Sequence, residues 1–300
     1  MKKREKKPLV KAPGTAEEKV YKAPRGYART VAQIVKRERE QPSLFNASGL
    51  LSLEETHRTA ITRNAAALGT YLFQLLKSEE ETITVRNLTA LAEKFNTTNS
   101  EIKLYLLALG GFTYPIVGLE NGGFSISVEQ LFKIKIVYSK KIRERYESGE
   151  LTQAGTNLLP ILINEAPSEI QITPNRMFLE GLTGKGQGYT LLKQNKYTKL
   201  SLQLTDLGYK LQEYSSTQPR SHKIKEPGLI NALSLAAQVK QQGAPRIRAT
   251  IHEALEQLKT HGYLTEYSYD KETSLYKWIV SGEYIQHGKA ISPTTEPGID

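Results

Sequence analysis

The chain has 300 residues, 41 Lys and Arg against 31 Asp and Glu for a formal net charge of +10, a hydrophobic content of 39% and no cysteine. Such a length allows roughly two domains of about 100–150 residues. The lack of cysteine excludes a disulfide framework, a thiolate metal site, an iron–sulfur cluster and a cysteine nucleophile, and no run approaches the roughly 20 apolar residues of a membrane span, so a cytoplasmic protein without membrane contact is expected.

The cations gather at the start. Residues 1–40 hold thirteen Lys and Arg against five Glu, whereas the remainder is nearly balanced. Through residue 26 they mix with Pro, Gly and Ala and show no hydrophobic period. This reads as a disordered basic arm over 1–26, either a polyanion-binding segment acting by counterion release or a solubilising tail. Pro8-Leu9-Val10-Lys11 supplies no apolar signal core, so no secretory signal is expected.

A short helix is predicted over Tyr27–Glu40, with Val31, Ile34 and Val35 on one stripe, ending before Pro42. Ser52 with Glu55 fits a capping box, opening a long helix to about Ser78. Its Ile61, Ala65, Leu68, Leu72, Leu75 and Leu76 recur at spacings of three and four, and Gly69 in its interior costs about 1 kcal/mol against Ala. Ile83-Thr84-Val85 is a β-branched run and Leu88–Phe95 a short helix. Thr98 with Glu101 forms a second capping box, starting a helix over Ser100–Leu109 that Gly110-Gly111 stops. Phe112–Val117 and Phe124–Val128 then flank Asn121-Gly122, a hairpin turn signal. Helix, turn, helix and hairpin in this order describe a first winged-helix domain over 27–147.

Residues 129–150 read as a charged helix. Leu158–Ile163 and Ile170–Ile172 read as strands broken by Pro160, Pro167 and Pro174, and 181–188 as a flexible glycine-rich loop. Together they make a connector over 148–195. A helix is predicted over Leu200–Tyr214, a polar basic strip over Ser215–Lys225 and a short helix from Glu226-Pro227 to about Ala237. Gln241-Gln242-Gly243 is a turn, Pro245 starts a helix to about Thr260, and Gly262 ends it. Tyr263–Tyr269 and Ser274–Val280 alternate around the turn Asp270–Thr273. This second helix–turn–helix–hairpin unit defines a domain over 196–281, followed by a disordered tail over 282–300. The fold class expected is therefore α+β, two winged-helix domains in tandem with a disordered arm and tail.

The helix from Pro245 carries the sharpest candidates. Ile247, Ile251, Leu255 and Leu258 face a core, leaving Arg246, Arg248, Thr250, His252 and Lys259 on other faces. Arg246 and Arg248 fall in the first turn, where a helix–turn–helix reader points at base edges. Arg bridges guanine O6 and N7, and Thr touches a thymine methyl or a phosphate. Arg246 is the base reader expected, and Arg248 a contact to base or phosphate. Arg220, His222, Lys223 and Lys225 form a phosphate-facing strip or a solvated loop, and Lys271 a wing contact to phosphate or minor groove. Tyr263, Tyr267, Tyr269 and Tyr276 read as sheet packing rather than base stacking.

The first unit reads differently. Its second helix offers Asn99, Ser100, Glu101 and Lys103 outward, a poor phosphate-facing surface, and adds Leu104, Leu107 and Ala108 to its apolar side. A helix apolar nearly all round is buried on both sides, by the 53–78 helix or by a partner chain; a homodimer through this domain is the reading adopted.

Catalytic patterns fail one by one. The 181–188 loop lacks both phosphate-loop and dinucleotide spacing. The five His form no His-x-His pair, Asp occurs only at 206, 270 and 300, and neither a nucleophile elbow nor a zinc ligand set appears. No enzymatic activity, cofactor or metal is expected.

The layout over about residues 50–280, with Ala244–Leu264 as recognition helix running into a wing, resembles bacterial plasmid replication initiators of the tandem winged-helix class. The resemblance implies binding to directly repeated origin sites (iterons), opening of an adjacent AT-rich tract, recruitment of host initiator and replicative helicase, and a dimer that represses while monomers initiate. The alternative with the same binding chemistry is a winged-helix transcriptional repressor of a mobile element.

Overall fold

The computed structural model describes residues 20–35, 61–76, 82–120, 123–150, 159–184 and 187–286. Residues 1–19 of the expected arm lie outside the described residues; the rest of it is structured, since Val20–Pro24 is a strand, β1, and leads directly into α1, Arg25–Ile34. Tyr27, Ala28, Val31 and Ala32 make the buried stripe of α1. The Ser52–Glu55 capping box lies outside the described residues. What is seen of the long helix is α2, Arg63–Leu72, capped by the Thr62 hydroxyl and continued by a 3-10 turn through Leu75. Its expected stripe holds: Ile61, Ala65, Leu68 and Leu72 are buried, with Leu75 and Leu76 packed against them.

Next come β2 (Ile83–Val85), α3 (Leu88–Lys94) and α4 (Asn99–Gly111), the last opened by the capping box of Thr98 and Glu101. A Cβ at Gly110 would press on Ile134 at 2.9 Å, so glycine here permits close approach of a strand as well as a helix end. The hairpin forms as β3 (Thr113–Glu120) and β4 (Gly123–Gln130), with Glu120 opposite Gly123.

The span 129–150 is corrected. Phe132–Val137 is a strand, β5, and only Lys140–Glu147 is helical, as α5. Phe132, Ile134 and Ile136 alternate with Lys133 and Lys135, a period of two that the charge density of the following helix obscured.

The span 148–195 is far from a flexible connector. It holds α6 (Leu159–Asn164), β6 (Glu169–Pro174), α7 (Arg176–Leu182) and β7 (Tyr189–Lys193). The apolar run at 158–163 is thus a helix over its described part, not a strand, and α7 was not foreseen despite Asn175 as its cap. β6 is the middle strand between β2 and β5, while β3–β4 remains a separate ribbon. β7 lies between β1 and β11, Ile285–Gln286, so the described part of the predicted tail, 282–286, is structured, and 287–300 lie outside the described residues.

The helix expected over Leu200–Tyr214 is two: α8 (Gln194–Gln203) and α9 (Asp206–Ser216), separated where Thr205 caps the second by accepting from Gly208 N. After β8 (Ser221–Lys225), the helix begun at Glu226 also divides, into α10 (Glu226–Ala232) and α11 (Ala236–Gln242), around Ser234 with φ of 53°. Then follow α12 (Ala244–Thr260), β9 (Leu264–Asp270) and β10 (Leu275–Val280), as read from the sequence. β8, β10 and β9 form one antiparallel sheet in that order.

The fold is mixed α+β with small sheets, and a single hydrophobic cluster runs from Ala23 to Ile285. Helix α1 packs on α9 and α2 on α8, so the two halves share a core. Tyr27 is the pivot: its hydroxyl donates to the Ala66 carbonyl at 2.9 Å and its ring meets Phe73, Phe132 and Phe178 edge-on.

Candidate nucleic-acid interface

Gly243, at φ of 85°, turns the chain out of α11, and Pro245 follows in the first turn of α12. Ile247, Ile251, Ala254, Leu255 and Leu258 are buried, which anchors one face of α12. The opposite face is solvent-exposed and carries Arg246, Ala249, Glu253 and Glu256 at spacings of three and four. Arg246 is therefore solvent-exposed in the first turn of α12. Lys259, one position further round, is exposed as well, and its ammonium lies over the Tyr267 ring.

Arg248 does not join Arg246. Its guanidinium turns inward onto Glu226 at the start of α10, with Nε donating to Oε2 at 2.8 Å and Nη2 to Oε1 at 3.0 Å. Tyr269 in β9 donates to the same carboxylate at 2.7 Å, and its ring lies 5.5 Å from the guanidinium. Burial raises the proton affinity of Glu226, but the donated hydrogen bonds outweigh it and hold the carboxyl below its ordinary range. Arg248, expected as a DNA contact, is engaged in an internal ion pair here, with its side chain 38% exposed.

His252 is likewise turned in. It packs among Tyr267, Tyr269 and Tyr276, with centroid distances of 6.2, 5.2 and 5.6 Å. Burial, reinforced by the nearby Arg248 charge, lowers its affinity for a proton, so the ring is neutral at pH 7. The hydroxyl of Thr250 donates back to the Arg246 carbonyl at 3.1 Å. The tyrosines pack as expected: Tyr263 and Tyr276 are buried in the core, and Tyr267 and Tyr269 are half-buried against it.

The strip before α10 divides by strand alternation. Lys223 and Lys225 point outward from β8, whereas His222 packs inward on Tyr214 and Trp278. Arg220 is exposed and its Nε donates to the Val280 carbonyl. Lys277 in β10 is exposed and sits opposite Lys223, extending this cationic face. Lys271 is exposed in the wing turn, which the Asp270 carboxylate shapes by accepting from Glu272 N and from the amide and hydroxyl of Thr273. A shallow groove of about 320 Å³ opens beside Arg248 and is closed by Ile230, Ala244 and Ser274.

The reading missed Glu226, Tyr269 and Lys277. The last was accessible, because Leu275–Val280 alternates and puts Lys277 opposite in sense to Tyr276 and Trp278. Glu226 had no local signal; its partners lie 22 and 43 residues away.

In the first half Lys103 is corrected from outward to buried. Its ammonium donates to the carbonyls of Leu162 and Glu165, at 3.4 and 2.6 Å. Asn99 bonds Thr89, Ser100 bonds Ile163 and Asn164, and Glu101 accepts from Thr97 and Thr98. α2, β5 and α6 pack around α4, while Leu104 and Leu107, which suggested a second covering surface, are half-buried.

Among the described residues, no three His, Asp or Glu side chains are grouped to hold a metal ion, and no helix is long and apolar enough to cross a membrane. No family model matches the chain, and no curated protein matches its sequence. Among solved structures, the chain is similar to one described as a Pi initiator protein in complex with iteron DNA. The identity is 13%, covering 89% of this chain and 99% of that one, with a TM-score of 0.46.

Proposed function

We propose that this chain is a sequence-specific double-stranded DNA-binding protein that reads a major groove with α12 and steadies it with the β9–β10 wing. The observation that carries the reading is the exposed Arg246 in the first turn of a helix whose other face is wholly buried. An arginine there has the reach and the paired donors for guanine O6 and N7. Lys271 in the wing, with Lys223, Lys225, Lys277 and Arg220 around the sheet, supplies phosphate contacts.

In the finer form of the proposal, two winged helices in tandem act as a replication initiator of a plasmid or mobile element. The chain binds directly repeated origin sites and recruits host initiator and helicase in the cytoplasm, with no catalytic step of its own. That form rests on the layout shared with plasmid initiators.

The test is binding of the purified protein to fragments of its own replicon against random DNA, over a salt series. A preference for a fragment with direct repeats is expected, whereas preference for one palindrome over a promoter would favour repression. Arg246→Ala should lose about 1–3 kcal/mol of specific binding, and Lys271→Ala should lower the salt slope by about one phosphate contact. Equal binding to every fragment, unchanged by Arg246→Ala, would refute sequence reading.

A further inference from the structure

Four pieces of the second half meet at one residue, three of them at its carboxylate. Glu226 opens α10 and its side chain is only 7% exposed. It receives two hydrogen bonds from Arg248 in the first turn of α12 and one from Tyr269 in β9. Its own amide donates to the carbonyl of Ser274, at the far end of the wing turn, at 2.8 Å. Both Oε1 and Oε2 are thus engaged, and the Tyr269 ring stacks on toward Tyr276 at 4.6 Å and His252 at 5.2 Å.

We propose that Glu226 is the positioning residue for DNA reading: through Arg248 and Tyr269 it fixes the angle between the recognition helix and the wing. This rests on the DNA-reading role given to α12. The physical need is plain. Arg246 and Lys271 lie 25 residues apart and must engage one duplex together, so an error in the angle between their elements loses one set of contacts. Packing among apolar residues resists separation but tolerates sliding, whereas a carboxylate held by a planar guanidinium fork and a phenol fixes direction. Arg248 acts here on the protein, two residues from Arg246, and not on the DNA. The knot is also sensitive: a buried carboxylate deprived of its arginine is left uncompensated.

The experiment compares Glu226→Gln, Arg248→Gln and the double variant in the full chain. Probes are the preferred fragment found for the wild type and a random duplex, over a salt series. Each single variant should lose about tenfold in binding to the preferred fragment. Binding to random duplex and the salt slope should stay as in the wild type, because no phosphate contact is removed. The double variant should be no weaker than either single one, since both break the same unit. Tyr269→Phe removes one donor at small cost in packing and should shift the preference in the same direction, which serves if a charge variant fails to fold.

Two outcomes would overturn the proposal. One is Glu226→Gln and Tyr269→Phe both binding the preferred fragment as the wild type does. The other is Arg248→Gln alone losing affinity, with a salt slope reduced by about one contact, which would put Arg248 on the phosphate backbone. A wild type with no preferred sequence would remove the DNA-reading role itself, and this proposal with it; a preference that survives all three variants would remove only the positioning role.

Discussion

At the scale of single residues, partners far away in sequence decide what each side chain does. Gly69 reads as a flaw in α2, yet a Cβ there would overlap the hydroxyl of Tyr27 and press on Leu109 at 3.3 Å. Gly69→Ala should therefore destabilise the protein by about 1–3 kcal/mol in denaturant unfolding, although Ala is the better helix former. A gain in stability would mean that Tyr27 can move aside. Arg246 and Arg248 make the same point for function. Both were legible as first-turn arginines on α12, but only Arg246 remains outward, because Arg248 finds Glu226. His252 has a partly apolar environment of three tyrosines that no spacing on its own helix announces.

At the scale of elements, the strongest cap and turn signals are local, whereas composition says little about pairing. The capping box at Thr98 and Glu101, the Pro245 start and the Gly262 end of α12 all act locally, and local chemistry suffices to see them. The alternation at Ile170–Ile172 shows β6 as a strand, whereas β7 has no comparable signal beside the glycine-rich loop, and neither stretch reveals its place inside a sheet. Each is five or six residues long and pairs with two strands remote in sequence: β6 with β2 and β5, both earlier in the chain, and β7 with β1 and β11 from its two ends. Both are middle strands, so replacing 165–193 by a Gly/Ser linker of equal length should abolish cooperative unfolding, as followed by circular dichroism on heating. A linker variant with a wild-type melting transition would show that 148–195 is a connector after all. The same logic explains α4. Its excess apolar surface is visible in sequence, but whether α6 or a second chain covers it depends on where residues 159–164 return.

At the scale of the whole molecule, the halves are fastened around a buried acid. Glu213 in α9 is 1% exposed and accepts from Thr70 of α2 at 3.3 Å. The Tyr209 hydroxyl meets Thr70 at 3.5 Å, and Tyr209, Tyr197 of α8, Tyr27 of α1 and Tyr263 all lie close enough to feel the Glu213 charge. Burial pushes its carboxyl up to about 8, only partly offset by the neighbouring hydroxyls. At neutral pH it thus holds a proton in the folded chain that the unfolded chain has released. The folded state binds more protons between the ordinary carboxyl value of 4.5 and about 8, so stability falls as pH rises through that window. His222 and His252 act on the acid side: burial holds both below the ordinary 6.5, so their contribution is lost as pH falls through that value. The denaturant midpoint of the wild type should drop between pH 6.5 and 8.5, and Glu213→Gln should flatten that drop. An equal drop in the variant would assign it to other groups.

Sequence alone settled the alternation of helix, turn and hairpin in the second half, the buried stripes of α2 and α12, the capping box of α4 and the outward place of Arg246. All of these follow from periodicity and from bonds within a few residues. Tertiary structure decided which strands stand in the middle of the sheets, that α1 packs on α9, that Lys103 is buried, and that Arg248 faces Glu226. Those outcomes depend on burial and on charge pairing between segments from 22 to more than 170 residues apart. Spacing along a chain carries no record of such meetings, and only the shared core brings the partners within hydrogen-bond reach.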